Sequence, residues 1–239
     1  MKLLLLNRTD ERATQTVRRI LFNALIYFVV TRVAVMLLVG AATVWCIWVK
    51  GFNPMTQLQF AGSPLQLAAG EGSMLMKVGM LLIFAPLIEE LAFRLGLSFK
   101  RRDVAVGAGA MALFLVSQVI RMTGLGYAWL WALPFGVAAG IWAWRSTVSV
   151  DFDALRGRWL VPAMYASAAL FGLAHLFAMS GLTWALLPFA LLICLMLFFT
   201  GAVFTYLRVN LGFGWGLLAH AVNNLPVVMM LLMGGLPTL

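Results

Sequence analysis

Charge is what this sequence has least of. Of its 239 residues only 10% are Asp, Glu, Lys or Arg, against about 25% in an ordinary soluble domain. Eight residues are acidic, two are histidine and two are cysteine. With 63% hydrophobic residues and a mean hydropathy of +0.98, the apolar surplus is more than one buried core could absorb. A soluble globular enzyme is therefore excluded. Period-2 alternation is missing as well, and the apolar runs exceed the roughly 10 residues of a barrel strand, which excludes an outer-membrane barrel. The composition implies an all-α protein, a polytopic transmembrane helical bundle of about seven spans, six to eight.

Other absences narrow the chemistry. Cys46 and Cys194 stand alone in apolar runs without metal-ligand spacing, and read as packing residues. Ser117, Ser167 and Ser180 lack a G-x-S-x-G context, so no serine nucleophile stands out. The zinc-helix signature H-E-x-x-H is absent. Leu3 to Leu6 is too short for the apolar region of a signal peptide and runs into polar residues, so the first span is expected to act as an uncleaved anchor. There is no internal repeat.

What is present divides along the chain. Residues 1–19 form a basic arm, expected on the cytoplasmic surface. A first span covers 21–49 and is interrupted by Arg32, expected to snorkel toward headgroups or to mark an interfacial start. Residues 52–73, rich in Gly, Pro and Gln, read as an exposed or re-entrant loop. Further spans are expected over 74–99, 104–120, 127–144, 159–179, 184–207 and 211–233, with turns at Thr123-Gly124, Ser180-Gly181 and 208–211. The net charge of +9 is concentrated in segments flanking the spans. It is assigned to topology and anionic lipid rather than to nucleic acid. With the N-terminus in the cytoplasm, twelve basic residues fall on inside segments and three, Lys50, Lys77 and Arg121, outside. Short loops and a basic N-terminus point to a bacterial inner membrane.

Against this apolar background a few polar residues stand out. A charge at the centre of a membrane helix costs roughly 2.5–3.5 kcal/mol on insertion scales, so such residues tend to be functional. Glu89, Glu90 and Arg94 share one span. Glu90 and Arg94 are four apart and co-facial, whereas Glu89 points about 100° away, which predicts one neutralised acid and one free acid. Both histidines, His175 and His220, also fall in spans. Ser167, Phe171 and His175 repeat every four residues, so Phe171 lies one turn from the imidazole. His220 and Asn224 are likewise co-facial, with Asn223 beside them. Gly212 and Gly216 precede them in a small-xxx-small stripe that permits close helix approach.

A carboxylate with an imidazole can activate water, and an imidazole with a carboxamide can donate to an oxyanion. Together these are the parts for hydrolysing an amide without a covalent intermediate. Glu89, His175 and His220 are equally a possible zinc set, so a metal-free site and a zinc site both stay open. If the fifth span began at Trp159, His175 would lie about 24 Å along its helix, and Glu89 and His220 only about 12–15 Å along theirs. The three meet only if the fifth helix enters later, near Pro162 and Ala163, or is tilted; a late start is expected, with residues 156–160 interfacial.

The ordered set Glu89-Glu90-x-x-x-Arg94, Phe171-x-x-x-His175 and His220-x-x-x-Asn224, on separate spans, resembles the CPBP family. That family comprises the type II CAAX prenyl endopeptidases and the bacteriocin-processing or abortive-infection proteins of bacteria. The resemblance covers residues 74–233 and makes 74–239 the protease-like core. Residues 1–73, the arm, first span and loop, carry no comparable signature. It implies an intramembrane glutamic endopeptidase acting on a membrane-associated or lipidated protein or peptide. In it Glu89 would be the general base, assisted by His175, and His220 and Asn224 would form the oxyanion hole. Glu90, Arg94, Phe171 and Asn223 would support them. No cofactor is expected beyond the zinc alternative. A non-catalytic scaffold or immunity factor of the same fold, a transporter, and a hydrolase or transferase of lipid or prenyl metabolism are the competing readings.

Overall fold

The computed structural model describes residues 17–60 and 73–233. Residues 1–16 of the basic arm, residues 61–72 of the expected loop and the last six residues lie outside the described residues, together with the expectations placed on them.

Seven long helices follow one another in the order expected. Helix α1 is Val17–Trp45, prolonged by a π-helical turn at Cys46–Lys50. A single turn, α2 (Pro54–Gln57), follows. Helix α3 runs over 74–94 in three stretches, Met74–Gly79, a π-helical turn at Met80–Phe84, and Ala85–Arg94. A 3₁₀ turn at Leu95–Ser98 closes it. The remaining helices are α4 (Arg101–Met122), α5 (Ala128–Ser146), α6 (Phe152–Ala174), α7 (Leu187–Leu211) and α8 (Phe213–Leu232).

Among the described residues, five helical segments are long and apolar enough to cross a membrane: Val17–Lys50, Arg101–Met122, Phe152–Phe177, Leu187–Leu211 and Phe213–Leu232. The other two expected spans correspond to α3 and α5. Helix α3 carries Lys77, Glu89, Glu90 and Arg94 and changes hydrogen-bond register midway. Helix α5 contains Pro134, Arg145 and the tryptophans 129, 131, 142 and 144. The fold is thus an all-α bundle of an integral, multi-pass membrane protein. Its outer faces fit a lipid surround, with large side chains such as Leu37, Trp48, Leu75 and Trp142 exposed.

Helix α7 is the hub, with α1, α6 and α8 packed around it. The largest apolar cluster joins Ile20, Ala24 and Tyr27 of α1, Phe93 of α3, Met164, Ala168 and Phe171 of α6, and Val203, Phe204 and Leu207 of α7. At Gly172 helices α6 and α7 approach closely: a Cβ there would lie 2.6 Å from the Cys194 carbonyl oxygen and 3.0 Å from the Phe198 nitrogen. Only hydrogen fits between these two backbones.

Three local expectations are corrected. Helix α6 does not start late near Pro162 but at Phe152. Asp151 caps it there, its Oδ1 accepting from the Asp153 and Ala154 amides at 3.1 and 3.0 Å, so helix begins at the first available cap. The last turn falls at Gly212, not at 208–211; its φ of 109° suits glycine, and a Cβ there would meet nothing within 4 Å. Gly212 therefore makes a corner and Gly216 alone makes the close approach. Finally, of the loop expected as exposed or re-entrant, the described part, 52–60, is held against the bundle. Gln59–Phe60 pairs antiparallel with Met179–Ser180, and Leu58 is buried with Leu186, Phe189 and Ala190.

Because the atoms opposing Gly172 are backbone, adding one methyl there must move a helix. Gly172→Ala should cost about 1–3 kcal/mol and lower the unfolding temperature of the detergent-purified protein. Gly157→Ala, where a Cβ meets nothing within 4 Å, should leave it unchanged or slightly raised.

Candidate active site

The site begins with a proline. At the π-helical turn of α3 the Ala85 amide bonds to the Met80 carbonyl, five residues back. The next amide in that register would belong to residue 86 and bond to the Leu81 carbonyl, but residue 86 is proline and has no N–H. Leu81 is fully buried, so its carbonyl needs another donor. Asn224 of α8 supplies it, its Nδ2 donating to the Leu81 oxygen at 2.9 Å. One turn beyond this junction α3 presents its two glutamates.

Glu90 and Arg94 form the pair that their spacing predicts. Arg94 Nη1 donates to Glu90 Oε1 at 2.5 Å, and both side chains are 0% exposed. Arg94 Nε also donates to Thr205 Oγ1 of α7 at 3.3 Å. The guanidinium lies over the rings of Phe171 and Phe204, 4.4 and 5.3 Å from their centroids. Two glycines make the room: a Cβ on Gly201 would lie 3.1 Å from Arg94 Nη2, and one on Gly216 would lie 3.1 Å from Glu90 Oε2.

His220 stands between the two carboxylates. Its Nδ1 is 3.0 Å from Glu90 Oε1 and its Nε2 is 3.5 Å from Glu89 Oε2. A carboxylate only accepts, so Nδ1 carries a hydrogen and donates to Glu90. The ring stacks on Phe204 at 4.7 Å and meets Phe171 edge-on at 5.8 Å. Glu89 differs from Glu90 in its surroundings: its side chain is 18% exposed and has the imidazole as its neighbour, whereas Arg94 is bonded to Glu90. The division into a neutralised and an accessible acid is therefore present in the geometry.

His175 is placed less directly. It follows the last residue of α6, and its Nδ1 is 2.7 Å from the Phe171 carbonyl oxygen. A carbonyl only accepts, so Nδ1 is again the donor and Nε2 of the neutral ring is left as an acceptor. Its ring meets Phe171 edge-on at 5.0 Å, so both imidazoles lean on the same phenylalanine. Ser167, one turn before Phe171, ties α6 to α3 by donating to the Phe93 carbonyl at 2.7 Å. Among the described residues no hydrogen bond or ion pair joins His175 to Glu89. Glu89 has His220 beside it instead. For the zinc alternative, Glu89 and His220 are neighbours, but among the described residues no three or more His, Cys, Asp or Glu are grouped to hold a metal ion.

The sequence reading singled out Arg32 but not its partners. Its guanidinium turns into the bundle. Its Nη1 donates to Asn223 Oδ1 at 2.9 Å and approaches Thr200 Oγ1 at 3.5 Å, and its guanidinium lies 5.0 Å from the Phe28 centroid. Asn223 in turn donates from Nδ2 to Asn224 Oδ1 at 3.2 Å. The signal was available: a lone cation in the middle of an apolar helix is as costly as the glutamates that drew attention.

No protein-family model, curated protein or solved structure matches the chain.

The two acids should respond differently to change. Removing one partner of a buried pair strands the other charge, at a cost of about 3–5 kcal/mol. Arg94→Ala should therefore sharply reduce the yield and unfolding temperature of the protein in detergent. Glu89→Gln, at a partly exposed acid outside that pair, should leave both near the wild-type values.

Proposed function

We propose that the protein is an intramembrane glutamic endopeptidase of the CPBP kind. It would cleave a peptide bond of a membrane-associated or lipidated protein or peptide, in a bacterial inner membrane with the N-terminus cytoplasmic. The observation that carries this reading is the contrast between the two adjacent acids. Glu90 is fully buried and bonded to Arg94, whereas Glu89 stays partly exposed with His220 Nε2 at 3.5 Å. A carboxylate without a cation bonded to it, next to an imidazole in an apolar surround, is suited to taking a proton from water.

In this mechanism Glu89 removes a proton from a water as its oxygen attacks the scissile carbonyl carbon. Glu90 accepts from His220 Nδ1 and so holds Nε2 toward Glu89, where it can receive that proton. The proton is delivered to the leaving amide nitrogen, the C–N bond breaks, and the products are a carboxyl group and an amine. A side-chain carboxamide nitrogen carries two hydrogens, and Asn224 uses one on the Leu81 carbonyl. Its second hydrogen is the donor offered to the oxyanion. His175, with Nδ1 engaged by the Phe171 carbonyl, keeps Nε2 as a second acceptor for the water. His220 is thus assigned to proton transfer rather than to the oxyanion hole, because both its nitrogens face carboxylates.

A second reading is a non-catalytic membrane scaffold or immunity factor. It is favoured by the engagement of Asn224 and His220 in interhelical bonds, which a purely structural polar network would also show.

Comparing polypeptide N- and C-termini in membranes of cells producing wild type or Glu89→Gln at equal levels separates the readings. General-base catalysis contributes about 10²–10⁴-fold, so termini generated by the wild type should fall at least about 10²-fold in the variant. Identical sets of termini would overturn the protease assignment. An altered lipid profile with unchanged termini would point to a lipid hydrolase.

A further inference from the structure

Arg32 makes its hydrogen bonds to α7 and α8, none of them to α3. Yet a directed chain of side-chain bonds leads from it to the π-helical turn of α3. Arg32 Nη1 donates to Asn223 Oδ1 at 2.9 Å, Asn223 Nδ2 to Asn224 Oδ1 at 3.2 Å, and Asn224 Nδ2 to the Leu81 carbonyl at 2.9 Å. Each link runs from donor to acceptor in the same sense, so each polarises the next.

The two ends fix that sense. A guanidinium can only donate, and a backbone carbonyl can only accept. If Asn223 were flipped, its NH₂ would face the guanidinium, donor against donor. If Asn224 were flipped, its oxygen would face the Leu81 oxygen, acceptor against acceptor. With the cation at one end and the orphaned carbonyl at the other, both carboxamides have one satisfied orientation. The carbonyl is orphaned because Pro86 cannot serve it, and the turn it belongs to immediately precedes the stretch that carries Glu89 and Glu90.

We propose that Arg32 is a positioning residue: acting through Asn223 and Asn224, it holds the π-helical turn at Leu81 and with it the rotational setting of Glu89 and Glu90. This deepens the reading of Glu89 as the water-activating base and rests on it for any catalytic consequence. The coupling itself is open to measurement without activity.

Amide hydrogen exchange of the full chain in detergent or nanodiscs, read on peptides covering residues 82–91, provides the test. In Arg32→Met the α3 amides should exchange about tenfold faster, the scale expected when a buried polar group loses its partner. Asn224→Leu should do the same, and the double variant should add nothing further. Arg32→Lys, which keeps a cation at the head of the chain, should recover part of the protection. Faster exchange confined to α1 and α7, or additive effects in the double variant, would overturn the proposal, since local packing by Arg32 predicts just that. If Arg32→Met does not fold, Asn223→Leu breaks the middle link without touching a charge, and unchanged exchange in α3 would overturn the proposal equally. On a substrate found by the termini comparison, Arg32→Met should lower kcat about tenfold with KM unchanged. Persistent cleavage by Glu89→Gln would sink the catalytic reading while leaving the exchange result standing, so the two failures are distinguishable.

Discussion

The ion pair between Glu90 and Arg94 is the constraint to which the neighbouring helices are fitted. Removing two charges from water costs several kcal/mol per ion, and mutual attraction offsets this only where the remaining donors and acceptors are also met. The surroundings meet that requirement in part: among the described residues Glu90 Oε2 and Arg94 Nη2 are buried without a hydrogen-bond partner. Thr205 of α7 takes Arg94 Nε, and Phe171 and Phe204 present ring faces to the guanidinium. Gly201 and Gly216 are bare where a methyl would press on Arg94 Nη2 and Glu90 Oε2. The same carboxylate oxygen that binds Arg94 also accepts from His220 Nδ1, so the pair orients the imidazole as well. Glu89 then meets an imidazole whose ring is already held by Glu90 and Phe204.

Much of this was legible in the sequence wherever it depends on helical periodicity. Glu90 with Arg94, and Phe171 with His175, are four residues apart, and any straight helix brings such residues together. The bundle and the order of its helices followed from apolar run lengths. What could not be read were contacts set by the mutual placement of helices. Arg32 meets Asn223 across 191 positions, and His220 meets Glu90 across 130. No local pattern encodes either distance. That Glu89 has His220 rather than His175 beside it was unreadable for the same reason. Spacing placed each residue on its helix face, but a depth mismatch suggested a late start for α6, whereas Asp151 caps the helix at Phe152.

The first helix illustrates a related point. Judged by motifs, the functional core begins near residue 74, and the preceding span looks like an accessory anchor. Judged by contacts, α1 packs along α7, buries Ile20, Ala24 and Tyr27 in the main cluster, and sends Arg32 to Asn223. Motif searches weigh residues that repeat in a recognisable arrangement; a single arginine in an apolar stretch does not. The energetic criterion is more sensitive here, because a cation at that depth requires polar partners however unremarkable its neighbours are in sequence.

Pro86 shows how one missing hydrogen can set the geometry of a site. A helix turns about 100° per residue, so a π-helical turn, which takes in one extra residue, rotates everything after it by roughly that angle. Glu90 and Arg94 lie on the far side of that turn and rotate together. In a plain α-helical register they would swing away from Thr205, Phe204 and His220, and a buried ion pair without those partners would be strongly unfavourable. The π register is in turn tolerable only if the Leu81 carbonyl, which Pro86 leaves without a donor, finds one elsewhere. Asn224 provides it from the same helix that carries His220, four residues away. The bond that repairs the backbone of α3 and the imidazole that meets its glutamates are thus fixed to one rigid element. A shift of α8 that lost the first would also displace the second, so the intact turn and the assembled site belong to a single arrangement of the two helices.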